Sequence, residues 1–388
     1  MRVLEVTDFY YPWIAGPAPF IRNLSVGLAE RGHDVVIACP SPTGNPYDEP
    51  DSPPRHRVRT FPVPFGYRLR AGFPLVDLAR FMRSWRPDVV HIHHPFPISL
   101  AAVLSAKMHG IPVVATNHTI PECTLFGIRS SSWYRPAERA LAVEIKLVLR
   151  SADAVTTPTT TAANMLRELG FRGAVTPISN GVDTTRFRPD PDTRTADIPT
   201  ILYTGRLDDD KDMDTLIQAL PTVLSQVDAK VRIGGEGTDR IRLERLVADM
   251  GLSRQVSFTG YVSDEDLPAV YREATVYCIS SRVELQSIST LEAMASGLPV
   301  VAVDAGALPE LIRPGQNGFL SPPGDSETFA DAIVAVLCDR CLARRYGDAS
   351  RVIAQGHSTG AMISQYERVL DDVALRGAPG RAYGAVRG

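Results

Sequence analysis

Val276-Tyr-Cys-Ile279 leads through Ser280-Ser-Arg-Val-Glu284-Leu-Gln-Ser-Ile-Ser-Thr-Leu-Glu292-Ala-Met-Ala-Ser-Gly-Leu-Pro299 into Val300-Val-Ala-Val303. Two short runs rich in β-branched residues bracket a helical stretch over 287–296, with Gly297 and Pro299 as stop signals. A strand, a helix and a second strand of this kind make a parallel crossover. The same rhythm continues outward. Strands are predicted at Ile201–Tyr203, Val231–Gly234 and Val256–Phe258, with helices over 212–226, 238–250, 264–273 and 325–337. Towards the N-terminus the pattern stops at Asp183–Pro199, a stretch rich in Pro, Asp, Thr and Arg that reads as a linker. Before it the alternation recurs. Strands are predicted at Val3–Val6, Val35–Ala38, Val89–Ile92, Val113–Thr116, Ala154–Thr156 and Val175–Ile178, and helices at Phe20–Arg31, Val76–Arg83, Ala101–His109, Ala137–Arg150 and Ala162–Leu169.

The fold class is therefore α/β, with two doubly wound parallel-sheet, Rossmann-like domains facing a central cleft. A ligand is expected at the carboxyl ends of the strands. The expected boundaries are 1–185 and 186–358. A helix at 359–376 is expected to cross back to the first domain, before a flexible tail at 377–388.

Composition narrows the function. Of 388 residues, 44% are hydrophobic and 22% charged, enough for two cores. Residues 1–185 carry 19 Lys and Arg against 15 Asp and Glu, and the remainder carries 22 against 29. A basic first half can face phosphate or an anionic membrane, or it can be solvated helix surface. No aromatics interleave these basic positions, which argues against nucleic acid. Five cysteines suit a reducing compartment, and Cys338-Asp-Arg-Cys341 lies in a helical run without a second pair, so it reads as structural. With no leader or spanning stretch, a cytoplasmic location is expected, compatible with attachment to a membrane surface.

Two clusters carry chemistry. A helix starting near Ser287 would aim the backbone amides of Gln286, Ser287, Ile288 and Ser289 at one anion. Glu292, inside that helix, could receive two ribose hydroxyls, and Glu284 would face the sugar side. Gly205-Arg206-Leu-Asp-Asp-Asp-Lys211 follows a strand directly. Gly205 allows a tight turn, and Arg206 and Lys211 could neutralise a diphosphate without a metal. The alternative for the last cluster is an exposed loop balanced by Asp208–Asp210. His91, His93 and His94 end one strand and His118 another. Successive strand side chains alternate in direction, so the run is expected to offer no common metal site.

Taken together these residues resemble the retaining glycosyltransferases of family 4, which have the two-domain GT-B fold. The landmarks are Tyr11-Pro-Trp-Ile-Ala-Gly16, Arg86-Pro-Asp-Val-Val-His-Ile-His93, Asn180-Gly-Val-Asp183, the Gly205–Lys211 stretch, Gly234-Gly-Glu-Gly237 and Glu284 through Glu292. The resemblance implies a UDP-sugar or GDP-sugar donor, no cofactor and no essential metal. Arg206 and Lys211 would hold the diphosphate, Glu292 the ribose and Glu284 the donor sugar. His118 would meet the sugar near the reacting centre, Gly16 would lie beneath the phosphates, and Tyr261-Val262 beside the base. Two departures bear on specificity. The family's usual Glu-Gly-Phe-Gly-Leu is Glu284-Leu-Gln-Ser-Ile here, and its double glycine is Gly16-Pro17, with one amide fewer.

The stretch from Asn117 to Arg150 is similar to lipid-directed members, including diacylglycerol glucosyltransferases. Arg135, Arg139, Lys146 and Arg150 around Trp133, Leu141, Ile145 and Leu149 would form their membrane-facing surface. The bland reading of this helix is a core helix with solvated arginines. A lipid or a small-molecule acceptor is implied. A phosphorylase, a nucleotide-sugar epimerase or hydrolase, and a sugar-binding two-domain protein are the alternatives.

Overall fold

The computed structural model describes residues 1–12, 17–62, 70–125, 131–190 and 198–377. The chain divides into two compact units. One is Met1–Ser179 with the chain from Gly360 onward, and the other is Asn180–Thr359.

In chain order the first unit contains β1 (Arg2–Val6), α1 (Ala18–Glu30), β2 (Asp34–Pro40), β3 (Tyr47–Glu49), β4 (Arg55–Val58), β5 (Phe61–Pro62), β6 (Arg70–Ala71) and α2 (Leu75–Trp85). It continues with β7 (Val89–Ile92), α3 (Pro97–Met108), β8 (Val113–Thr116), α4 (Pro121–Thr124), α5 (Tyr134–Arg150), β9 (Ala154–Thr157), α6 (Thr160–Glu168) and β10 (Thr176–Pro177). Its main sheet has the order β10-β9-β8-β7-β1-β2-β4-β3, parallel except for β3 on the edge. Buried on both faces, the central strands are mainly apolar on both sides rather than alternating, with Glu5 of β1 and His91 of β7 as buried polar exceptions. Leu4, Val6, Val90 and Ile92 face α2, α3 and α5. Val3, Val35, Ile37, Val89 and Val114 face the opposite layer, where Phe20, Ile21 and Leu24 of α1 pack.

The second unit contains β11 (Thr200–Thr204), α7 (Met213–Gln226), β12 (Lys230–Gly234), α8 (Arg240–Asp249), β13 (Val256–Gly260), α9 (Leu267–Arg272) and β14 (Val276–Ile279). It ends with α10 (Ile288–Ala295), β15 (Val300–Val303), α11 (Leu308–Leu311), β16 (Gly318–Ser321), α12 (Ser326–Cys338) and α13 (Arg340–Gly356). Its sheet is wholly parallel, in the order β13-β12-β11-β14-β15-β16. That is the doubly wound order, with winding reversed between β11 and β14. A last helix, α14 (Thr359–Gly377), lays Met362, Ile363, Tyr366 and Leu370 on the α1 side of the first sheet.

Several helix starts are fixed by side chains. Thr159, Ser287, Asp325 and Asp339 accept from amides in the first turns of α6, α10, α12 and α13. Asp8, beyond β1, caps α3 from a distance, accepting from the Ile98 amide at 2.8 Å and the Ser99 hydroxyl at 2.6 Å.

The first unit closes at Ser179 rather than at 185, because the chain after it already belongs to the second. Val182 bridges Ser358, Phe187 enters the second core, and Arg351 donates to the Thr184 and Phe187 carbonyls. The described part of the expected linker is thus packed structure, and the expected tail from 378 lies outside the described residues. Short strands β3 to β6 and β16 carry too few apolar residues to stand out in the sequence. Cys338 ends α12 and Cys341 begins α13, both exposed free thiols.

Gly235 sits at φ +137°, and a Cβ there would stand 1.7 Å from the Gly205 carbonyl oxygen. Gly235→Ala should lower the thermal midpoint of the second unit, with about 1–3 kcal/mol lost to backbone strain alone. Gly251→Ala, at φ +73° with open space around it, should cost less. Equal midpoints for the two variants would refute the close approach.

Candidate functional site

In an open parallel sheet the strands on either side of the winding reversal send their helices to opposite faces, leaving a crevice at their carboxyl ends. In the second unit that crevice lies beyond β11 and β14, and both chemical clusters fall there. Directly after β11 the chain turns at Gly205, φ +155°, whose amide donates to the Gly234 carbonyl at 2.9 Å. A Cβ on Gly237 would collide with the Leu207 carbonyl at 2.1 Å. The Gly234–Gly237 stretch is therefore the bed on which the Gly205–Leu207 turn lies. The Tyr203 hydroxyl, donating to the Arg206 carbonyl at 2.7 Å, fixes that turn from below.

Arg206 and Lys211 both reach Asp210. Arg206 pairs with Asp208 and, at 3.1 Å, with Asp210. Lys211 Nζ stands 3.2 Å from Asp210 Oδ2 and 2.8 Å from Glu284 Oε1. Burial pulls the Lys211 pKa down, but the Glu284 and Asp210 carboxylates outweigh it and hold it above the ordinary lysine value. Arg206 is likewise held above its ordinary value, burial being outweighed by Asp210 and Asp208. Asp208 is fixed by the Thr238 amide and hydroxyl, both at 2.9 Å. The acidic run is therefore no exposed counter-charge: Asp208 and Asp210 are buried struts that aim the two cations. Asp212, in left-handed conformation at φ +46°, accepts two bonds from Arg282, at 2.9 and 2.8 Å.

Beyond β14, Ser287 caps α10 by accepting from the Thr290 amide at 3.2 Å. The amides of Ile288 and Ser289 lie in the first turn, with no acceptor within the helix. The Tyr277 hydroxyl donates to Ser289 Oγ at 2.8 Å and ties this turn to the strand. Gln286 points elsewhere: its carbonyl accepts from the Asn180 amide at 2.7 Å. Its side chain therefore braces the loop, and the role expected of its backbone amide is separate from that contact. Glu284 is held through its backbone, its carbonyl receiving the Ala307 amide at 2.9 Å. Gly306 lies so close that a Cβ would stand 2.6 Å from the Glu284 nitrogen.

Glu292 accepts from the Tyr271 hydroxyl at 2.9 Å. Burial raises its pKa to about 7, against the opposing pull of that hydrogen bond. Val262 lies over Gly234, where a Cβ would meet its methyl at 3.1 Å, and Tyr261 beside it is exposed. Arg206, Lys211, Glu284, Ser287, Ser289 and Glu292 thus belong to one strand-end region of the second unit.

The first unit has its own reversal, between β1 and β7. Thr7 and Asp8 leave β1 there, His93 and His94 leave β7, and Thr7 Oγ1 stands 3.3 Å from His94 Nδ1. His118 follows β8, its ring 4.8 Å from that of Phe20, centroid to centroid. Burial and the neighbouring His93, His94 and His91 push its pKa well below the ordinary histidine value. Gly16 lies outside the described residues. The expectation that the histidine run has no common point needs correction. His91 and His93 are two apart, so they share a face, and both reach the same oxygen of Glu5, at 2.9 and 2.5 Å.

Of the two readings of α5, the core helix with solvated arginines holds, and the membrane-facing role expected for its leucines does not. Leu141, Ile145 and Leu149 of α5 are buried in the core. The exposed stripe is instead Val143, 50% exposed, and Leu147, 58%, with Trp133 at 73% just before the helix. Arg135, Arg139 and Arg150 are exposed. Sequence reasoning missed Tyr203, Tyr271, Tyr277 and Asp210. A tyrosine in a strand reads as core, and one Asp in a run of three carries no sign of being the buried one.

Comparison with known proteins identifies the family and the fold. Residues 14–186 match the Glycosyltransferase Family 4 description and residues 198–339 the Glycosyl transferases group 1 description. The chain is 32% identical over 380 residues to a glycogen synthase of Mycobacterium tuberculosis (strain ATCC 25618 / H37Rv), covering 90% of this chain and 89% of that one. It is 30% identical over 404 residues to a phosphatidyl-myo-inositol mannosyltransferase of Mycobacterium leprae, covering 97% and 98%. Among solved structures, sucrose-phosphate synthase from Thermosynechococcus elongatus superposes with a TM-score of 0.81 at 22% identity, over 97% of this chain and 100% of that one. Anabaena HepE in complex with UDP superposes at 0.78 with 19% identity, over 96% and 100%. The fold is GT-B, and the chain belongs to the family 4 glycosyltransferases.

Proposed function

We propose that this enzyme is a retaining hexosyltransferase that takes its sugar from a UDP-sugar or GDP-mannose and passes it to a hydroxyl of a lipid or small-molecule acceptor. The observation that carries the reading is the convergence of Arg206, Lys211 and the first-turn amides of α10 at the winding reversal of the second sheet. In the donor complex a diphosphate replaces part of the carboxylate pairing around the two cations. Glu292 receives the ribose hydroxyls and Glu284, beside Lys211, the donor sugar. His118 keeps the role that the resemblance to family 4 implies for it.

The acceptor oxygen attacks the anomeric carbon as the bond from that carbon to the phosphate oxygen breaks, and the departing phosphate oxygen takes the acceptor's proton. Arg206 and Lys211 stabilise the charge that collects on the leaving group, the role a metal plays elsewhere. We place this reaction in the cytoplasm. Support for the donor comes from relatives named as GDP-mannose-dependent mannosyltransferases and from a solved neighbour in complex with UDP-glucose.

A lipid acceptor is the favoured choice. One relative is named for phosphatidyl-myo-inositol, and Trp133, Val143 and Leu147 form an exposed apolar edge flanked by Arg135, Arg139 and Arg150. Such an edge suits the interface of an anionic bilayer. No helix among the described residues is long and apolar enough to cross a membrane.

Arg206→Ala and Lys211→Ala should each lower turnover by roughly 10²–10³-fold, the usual cost of losing one charge-stabilising group. Lys211→Ala should also lower the thermal midpoint, because it leaves the buried Asp210 short of a cation, so turnover is compared at a temperature where wild type and both variants are folded. Unchanged turnover in both variants would end the diphosphate assignment. Donor affinity should depend on pH through Glu292. A carboxylate accepts ribose hydroxyls better than its acid, so the ligand favours the ionised form and Kd falls as pH rises through about 7. Calorimetry with UDP or GDP should show binding about ten-fold weaker at pH 6 than at pH 8. Glu292→Gln should flatten that curve, and a variant that keeps the wild-type slope would refute the ribose role. Sedimentation with vesicles containing phosphatidylinositol should pull the protein down at low salt, and Trp133→Ala with Leu147→Glu should release it. Equal sedimentation of wild type and variant would favour a soluble acceptor.

A further inference from the structure

Glu5 is a carboxylate in the middle of the central strand of the first sheet, with no exposure to solvent. Nothing in the donor site uses it. It faces the layer closed by α1 and α14, and its cross-strand partner in β7 is His91. The Glu5 Oε2 atom lies 2.9 Å from His91 Nδ1 and 2.5 Å from His93 Nε2. Its other oxygen has no hydrogen-bond partner among the described residues.

From His91 the polar line continues. His91 Nε2 stands 2.7 Å from Thr116 Oγ1, and Thr116 stands 2.6 Å from Thr156 Oγ1. The Tyr366 hydroxyl of α14 closes it, 3.4 Å from Thr116 and 3.5 Å from Thr156. From His93 the line runs the other way. Its ring stacks on that of His118, with centroids 5.9 Å apart and planes at 25°. Phe20 of α1 packs edge-on against both rings. His118 Nε2 is buried and has no hydrogen-bond partner among the described residues.

Two imidazoles and a carboxylate invite comparison with a metal site. As they stand, both imidazole nitrogens are at hydrogen-bond separation from the one Glu5 oxygen. Glu5 remains ionised, at about 2: burial pushes it up, and His91 and His93 outweigh that. Burial and the adjacent His91 hold His93 down to about 4, so it is neutral at pH 7. A neutral His93 facing a carboxylate through Nε2 must carry its hydrogen there, donating to Glu5. One tautomer and one ring orientation follow.

We propose that Glu5 is a positioning residue for His118: it anchors the His93 ring on which His118 lies, and thereby sets the direction of the His118 imidazole. This rests on the role given above to His118. Removing Glu5 leaves His93 free to rotate and frees His118 to follow it. Thr116, Thr156 and Tyr366 brace the far side through His91.

The test is a double-mutant cycle on the full-length enzyme. Glu5→Gln should lower kcat by about ten- to hundred-fold, the range typical for partners that orient functional histidines, and leave the donor KM within about two-fold. In a His118→Ala background the same change should cost less than about two-fold more, because both changes remove one function. Fully additive losses, or an unchanged kcat in Glu5→Gln, overturn the proposal. The ¹⁵N imidazole resonances of His118 give a readout independent of residual activity. They should move in Glu5→Gln, and unmoved resonances count against the network. If Glu5→Gln fails to fold, Thr116→Val carries the same cycle and the same spectra from the other end of the line. Normal transfer by His118→Ala would instead show that the His118 assignment had failed first.

Discussion

A parallel sheet whose winding reverses cannot cover its own carboxyl edge at the reversal. The helix that follows one central strand goes to one face and the helix that follows its neighbour goes to the other. Backbone groups at those strand ends are therefore free to meet a ligand, and short loops fix the side chains around them. In the second unit the reversal pairs β11 with β14, and Gly205–Lys211 and Ser280–Ser289 follow from that pairing. In the first unit the same rule brings Thr7 and Asp8 beside His93 and His94.

Charge organisation within the second unit is governed by burial. Asp210 has almost no exposure yet contacts both Arg206 and Lys211. A buried carboxylate held between two cations is costly to separate from them, so it keeps both side chains extended and aimed while no anion is present. Under the proposed function, two flexible cations held in place this way need little further ordering to meet a diphosphate. Part of the entropic cost of binding is then met during folding.

The sequence made the repeating strand and helix pattern legible, because both sheets are buried on two faces and their strands are mainly apolar and rich in β-branched residues. Arg206, Lys211 and the Ser287 cap were legible for a related reason: glycine turns and capping residues leave local marks. What could not be read depends on pairings distant in the chain. Glu5 and His93 meet only because β1 and β7 are neighbours, and Tyr271 meets Glu292 across separate elements. The sequence left α5 open between a core helix and a membrane-facing one, because Leu141, Ile145 and Leu149 form as good an apolar stripe as Val143 and Leu147. Periodicity does not say which stripe the sheet will take. The part played by Gln286, which turns to the Asn180 amide, was likewise set by a neighbour far away in sequence.

The helix α14 belongs to the first unit although the whole second unit precedes it in the chain. As the polypeptide leaves the ribosome, Val3, Val35, Ile37 and Val89 lack the Met362, Ile363, Tyr366 and Leu370 cover they have at the end. The first-made half must wait with that greasy surface partly bare while the later half is synthesised and folds. Such an interval is when nascent chains attract chaperones or one another, and its length here is dictated by chain order alone.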